Sequence, residues 1–187
     1  MKSVLISIQP KWVNKIASGE KTIEVRKTRP KLETPFKCYI YCTQEKYKVD
    51  ALHVFPNGTI ENWQLERANI FGAYCNGFVV GEFVCDKIYK FAGRWFGDYT
   101  RPFGTEAMIL RESCLTLDEL TNYLSLKDGY GWHISDLKIY DKPKELSNFY
   151  YACNQPKGTD CSNCVDNREN RCKAITRPPQ SWCYVEG

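Results

Sequence analysis

Pro10 and Gly19 constrain the fold of this chain more than any other pair of residues. Proline suits the first position of a helix, where its missing N–H costs nothing, and glycine suits the residue just past a helix end. Between them "PKWVNKIAS" places Trp12, Val13, Ile16 and Ala17 on one helical face. Residues 2–8, "KSVLISI", read as a strand before it, and "KTIEVRK" reads as a strand after it. The chain thus opens with a strand, a short helix and a second strand within its first 27 residues. The second strand is unusual in its charges: Lys21, Glu24, Arg26, Lys27 and Arg29 crowd in and around it. Alternation sends Ile23 and Val25 one way and Thr22, Glu24 and Arg26 the other. That second face is either an ordinary solvated surface or the wall of a site for a charged ligand.

The rest of the chain reads as many short strands with one or two short helices. "KCYIYCT" is a strand, and the stretch from Gln44 to Ala73 is poorly patterned, with Asn57-Gly58 as a turn. "GFVVGEFVCDKIYKF" reads as one long β run, and "RWFGDYTRPFGT" as a loop. "TLDELTNYLSL" is a helix opened by a capping box from Thr116 to Glu119. "GWHISDLKIYD" is a strand stopped by Pro143, and "AITRPPQSWCYVEG" holds a terminal strand. The expectation is a small, partly closed barrel of α+β type. At 187 residues one domain is expected over 1–187, with 44–73 as an insertion.

The chain has a formal net charge of +4, but residues 1–50 alone carry 11 Lys and Arg against 5 Asp and Glu. The basic excess thus coincides with the charged strand, as a polyanion partner requires. No apolar run reaches membrane-spanning length, and "MKSVLISIQPKW" lacks the pattern of an export signal, so a cytoplasmic protein without a membrane partner is expected. There is no Walker A loop and no G-x-G-x-x-G, which disfavours nucleoside triphosphatase or dinucleotide chemistry. His53 and His133 lie in no recognisable nucleophile motif, and His133 reads as a structural histidine.

In the absence of an export signal, ten cysteines point to metal or buried thiols rather than a disulfide framework. Cys153, Cys161, Cys164 and Cys172 form a C-x7-C-x2-C-x7-C pattern within the Cys-rich segment 150–175. Two thiolates from one tight turn can share an ion, and the flanking pair can complete a tetrahedron. The intervening residues are nearly all polar, so a structural Zn²⁺ would supply the order that apolar burial cannot. Cys183 is a possible substitute ligand. Cys38, Cys42, Cys75, Cys85 and Cys114 sit among apolar or aromatic neighbours and read as buried thiols.

Taken together, "SIQPKWVNKIASGEKTIEVRK" resembles the signature of the ASCH domain, a β-barrel related to the PUA domain of RNA-modification proteins. Gly19, Lys21, Glu24 and Arg26 match that family's Gly-x-Lys-x-x-Glu-x-Arg motif at every fixed position. The terminal "RPPQSWCYV" and "WHISDLKIYDKP" are similar to ASCH-like proteins of bacteria and phages, some of which carry a Cys-rich insert near the C-terminus. The resemblance covers Met1–Thr43, roughly Phe78–Lys142 and the last dozen residues. It implies a PUA-like barrel with a zinc-knuckle-like insert and a cleft beside the first helix that receives RNA or a nucleotide. Lys21 and Arg26 would meet phosphate, with Lys27 and Arg29 beside them. Glu24 would accept from a base or orient Arg26. Read from the residues themselves, Trp132 and Trp182 beside polar neighbours could stack on bases or equally fill a barrel core, and for any single Trp the core reading is favoured.

Small ASCH-type amidohydrolases of acetylated cytidine use a Lys and a Thr from this segment. Lys21 is retained, but the Thr position is Glu24 here, a departure that weakens the amidohydrolase reading. Lys21 and Glu24 remain candidates for acid–base work on RNA or a modified nucleoside, as in a nuclease. A third reading is a zinc-stabilised module for a protein partner.

Overall fold

The computed structural model describes residues 2–44, 50–54, 60–64, 76–92, 104–125, 127–152, 164–166 and 171–187. In chain order the elements begin with β1 (Lys2–Ile8), α1 (Pro10–Ala17), β2 (Ile23–Arg26) and β3 (Phe36–Cys42). β4 (Asp50–Val54), β5 (Ile60–Gln64), β6 (Val79–Cys85) and β7 (Ile88–Phe91) follow. Two helices, α2 (Thr105–Ser113) and α3 (Leu117–Leu124), precede β8 (Gly129–His133) and β9 (Ser135–Lys144). The chain ends with β10 (Cys164–Asp166), β11 (Arg171–Cys172) and β12 (Trp182–Glu186). α1 begins at Pro10 and is closed by Gly19 at φ +79, whose N–H bonds to the Ile16 carbonyl.

The chain divides into two compact units, Met1–Asn14 with Lys37–Glu82 and Lys138–Gly187, and Lys15–Phe36 with Phe83–Leu137. The first holds most of a five-stranded sheet in the order β12-β1-β3-β6-β9. β1 pairs antiparallel with β12, Lys2 opposite Glu186, and parallel with β3, Val4 opposite Cys38. Parallel pairing demands a long return connection, which the α1–β2 segment supplies. As a central strand β1 is buried from Ser3 to Ile8, which explains its weak alternation. Leu5, Tyr41, Val79, Tyr140, Leu146, Phe149, Ile175 and Val185 make its core. Gly81 lies where β6 runs so close to β9 that an added Cβ would meet the Lys138 carbonyl at 2.6 Å.

The second unit is a three-stranded antiparallel sheet, β2-β8-β7, with α2 and α3 packed on one face. Ile23, Val25, Phe91, Ile109, Leu120 and Leu124 form that core. Burying each such aliphatic side chain stabilises the fold by roughly 1.5–3 kcal/mol.

Several sequence expectations need correction. Among the described residues the strands form four sheets of five, three, two and two strands, not one closed barrel. The run read as one strand from Gly77 to Phe91 breaks at Asp86 and Lys87, both exposed, and its halves join different sheets. The strand expected over "GWHISDLKIYD" likewise divides at Ile134 into β8 and β9. Pro143 lies inside β9, at the sheet edge, where its missing N–H costs no ladder bond. Within 44–73 a hairpin pairs Val54 with Ile60, while Asn57-Gly58 lies outside the described residues. Among the described residues no helix is long and apolar enough to cross a membrane.

Candidate functional site

The charged face of β2 is not solvated. Lys21, Glu24 and Arg26 are 2%, 6% and 7% exposed, so the strand is buried on both faces. Lys21 sits at the end of a corner built by α1 and Gly19. Its backbone N–H bonds to the Lys15 carbonyl, and an exposed Lys15–Glu20 pair at 3.1 Å braces the same turn.

The Lys21 ammonium meets three acceptors. It donates to the Ile23 carbonyl at 2.9 Å and the Ser113 carbonyl at 2.8 Å, and pairs with Glu24 Oε2 at 3.3 Å. Three N–H groups therefore have three protein acceptors. Burial pushes the Lys21 pKa down from its usual value, and the Glu24 carboxylate opposes that shift. The other oxygen of Glu24, Oε1, takes an Arg26 guanidinium N–H at 2.8 Å. Glu24 thus bridges two cations, one per oxygen, and holds both in place.

Ser113 ends α2, an element to which the sequence pattern assigns nothing beyond Thr105. The same helix end accepts the Thr22 N–H at the Glu112 carbonyl, 2.9 Å away. α2 therefore sets the position of both the Lys21 side chain and the start of β2.

Tyr123, on α3, is the second residue the sequence reading missed. The Arg26 guanidinium lies near its hydroxyl end, while 38% of the residue stays exposed. Burial of the hydroxyl end raises its pKa, and the nearby Arg26 charge opposes the rise. Lys27 Nζ lies 5.1 Å from the centre of the Tyr123 ring, within cation–π range. The signal was available in the sequence. Leu120 and Leu124 mark the inward side of α3, so an aromatic at 123 falls beside that stripe, towards the strand end.

The geometry of both units bears comparison with known structures. No family model matches the sequence, and neither does any curated protein. The ASCH protein of Zymomonas mobilis aligns with 98% of this chain and 87% of its own, with a TM-score of 0.54 and 16% identity. A serine-to-alanine mutant of that protein aligns over 98% and 88%, with a TM-score of 0.56 and 15% identity. The chain has an ASCH-like fold. At such identities the likeness is one of architecture, so the roles of individual residues rest on this chain's own geometry.

The remaining candidates are scattered. Lys27 and Arg29 are exposed beyond the end of β2. Trp132 is directly opposite Glu24 in the β2–β8 ladder but is fully buried, edge-on to Phe36 at 5.9 Å. Its ring has no exposed face for a base in this structure, because the middle strand of the sheet needs it as filling. Trp182 belongs to the other unit, half-buried and edge-on to Tyr184. His133 pairs with Asp86 at 2.6 Å. Burial works to raise the Asp86 pKa, but the His133 hydrogen bond and charge together with backbone N–H bonds outweigh it and the net shift is downward.

Of the proposed zinc ligands, Cys153 and Cys161 lie outside the described residues. Cys164 and Cys172 are directly opposite each other in the β10–β11 ladder. Among the described residues no group of three or more His, Cys, Asp or Glu could hold a metal. Cys183 is half-buried in β12, and burial pushes its thiol up to about 11. Cys38, Cys42 and Cys85 are buried, as expected, and Cys114 partly so. Burial pushes the Cys85 thiol up to about 12.

Proposed function

We propose that this protein binds RNA or a nucleotide at the end of β2, with Lys21, Glu24 and Arg26 as its organising triad. The observation that carries this reading is the burial of two cations and a carboxylate on a short strand that apolar residues could fill more cheaply. Buried ion clusters cost desolvation and are seldom the most stable solution, so a site role explains them better than packing does. Lys21 acts here on Glu24 and the α2 terminus, not on phosphate. Arg26, Lys27 and Arg29 supply the positive charge that meets the ligand. The ASCH-like fold carries the same expectation of RNA or nucleotide binding.

Titration of fluorescently labelled RNA at increasing salt tests this reading. Binding at low salt that weakens as salt rises, and weakens further in Arg26→Ala and in Lys27→Ala with Arg29→Ala, is expected. Absence of binding at low salt, or unchanged binding by these variants, would overturn it.

A structural zinc bound by Cys153, Cys161, Cys164 and Cys172 belongs to the same proposal. Its support is the register that sets Cys164 opposite Cys172, which brings one member of the C-x2-C step beside the last cysteine of the pattern. When bound, the ion would supply cross-linking between segments and no chemistry on substrate. Metal analysis of the purified protein should return about one zinc per chain, falling sharply in Cys164→Ser with Cys172→Ser. Full zinc content in that variant would refute the ligand set.

A further inference from the structure

We infer that Tyr123 is the base-stacking platform of this site, and that the ligand presents an unpaired base next to a phosphate. This rests on the proposal that the end of β2 binds a nucleotide or RNA. Among the described residues Tyr123 is the one large hydrophobic side chain that is exposed. It is not left out for want of a core. Leu120 and Leu124, on the same helix, are fully buried, so the register of α3 is fixed and sets position 123 beside the packed stripe, with part of its ring exposed.

The ring is also held in place. The capping box at Thr116 and Glu119 anchors the start of α3, and Lys27 Nζ lies 5.1 Å from the ring centre. Arg26, next to Lys27 in sequence, is itself gripped by Glu24, and Glu24 by Lys21. The buried triad thus fixes the strand end that borders an exposed aromatic ring. A platform fixed in advance loses little conformational freedom when a base settles on it.

The charges around the ring specify the rest of the ligand. Lys27, exposed and 5.1 Å from the ring centre, can move from the ring to a phosphate beside a stacked base. Arg29, two residues on, is exposed as well. An aromatic face bordered by cations suits a base with its phosphate. A base inside a duplex has no free face, so the site selects a single strand, or a free nucleotide, over paired RNA.

The probe is a single-stranded RNA of about 12 nucleotides with a central 2-aminopurine, whose fluorescence falls when the base stacks. The same strand annealed to its complement and adenosine 5′-monophosphate are the comparison ligands. The parent protein should quench the single strand on binding and bind the duplex at least about tenfold more weakly. Tyr123→Phe should keep the quench, whereas Tyr123→Leu should lose it and weaken binding by about tenfold or more, with thermal unfolding unchanged. Quenching by the mononucleotide as well would place the recognition in one nucleotide; quenching by the strand alone would place it in a longer single strand. Duplex binding as tight as single-strand binding, or a quench that survives Tyr123→Leu, would overturn the inference while leaving nucleic-acid binding intact. No binding of any probe would overturn both.

Discussion

At the scale of single residues, Glu24 controls the site. Each of its oxygens serves a different buried cation, so removing its charge leaves Lys21 and Arg26 facing each other without a counter-ion. Glu24→Gln should therefore destabilise the fold by roughly 3–5 kcal/mol, read from urea unfolding. Lys27→Ala, at an exposed position, should leave stability within about 0.5 kcal/mol of the parent while weakening RNA binding. Lys21 adds a pH signature. Its folded pKa lies below 10.5, so between that folded value and 10.5 the unfolded chain holds more protons. Stability conferred by this group is complete above 10.5 and is lost as pH falls through the folded pKa. The difference in unfolding free energy between the parent and Lys21→Met should accordingly grow as pH rises towards 10.5. The identity of these charged residues was legible in the sequence. Their burial was not, because alternation says which face a side chain takes and nothing of what covers that face.

At the scale of elements, the site depends on two helices. The capping box was readable in full: Thr116 accepts the Glu119 N–H at 3.1 Å and Glu119 returns the bond to the Thr116 N–H at 3.0 Å. Thr116→Ala should cost about 1 kcal/mol by thermal unfolding and loosen the mounting of Tyr123. α2 was not readable, for physical reasons. Its apolar residues Met108, Ile109 and Leu110 are consecutive instead of spaced by three and four, and only Ile109 of them is buried. Where it crosses β8, an added Cβ on Gly131 would meet Ile109 Cδ1 at 2.5 Å and Ile23 Cγ2 at 3.0 Å. Gly131→Ala should cost roughly 1–3 kcal/mol in urea unfolding, since strand and helix must separate to admit a methyl group. The strand breaks at Asp86 and Ile134 escaped the sequence for a different reason, because β propensity continues across both while the partner strand changes.

At the scale of the whole molecule, the two units share the chain repeatedly. The chain passes between them four times, inside α1, β3, β6 and β9. A helix or strand at each crossing gives neither unit a free-standing stretch of chain. Urea unfolding followed by tryptophan fluorescence and by far-ultraviolet circular dichroism should therefore give coincident, single transitions. The α+β class was legible from the many short strands and short helices, but the division was not, since each unit is assembled from segments far apart in sequence. The pairing of β1 with β12 carries that separation to its limit, because Lys2 sits opposite Glu186. On the ribosome, β1 must wait for residues 182–186 before one of its edges is covered. Completion of the five-stranded sheet thus waits for β12, and a nascent chain stalled before Trp182 would present a bare β edge to chaperones and to its neighbours.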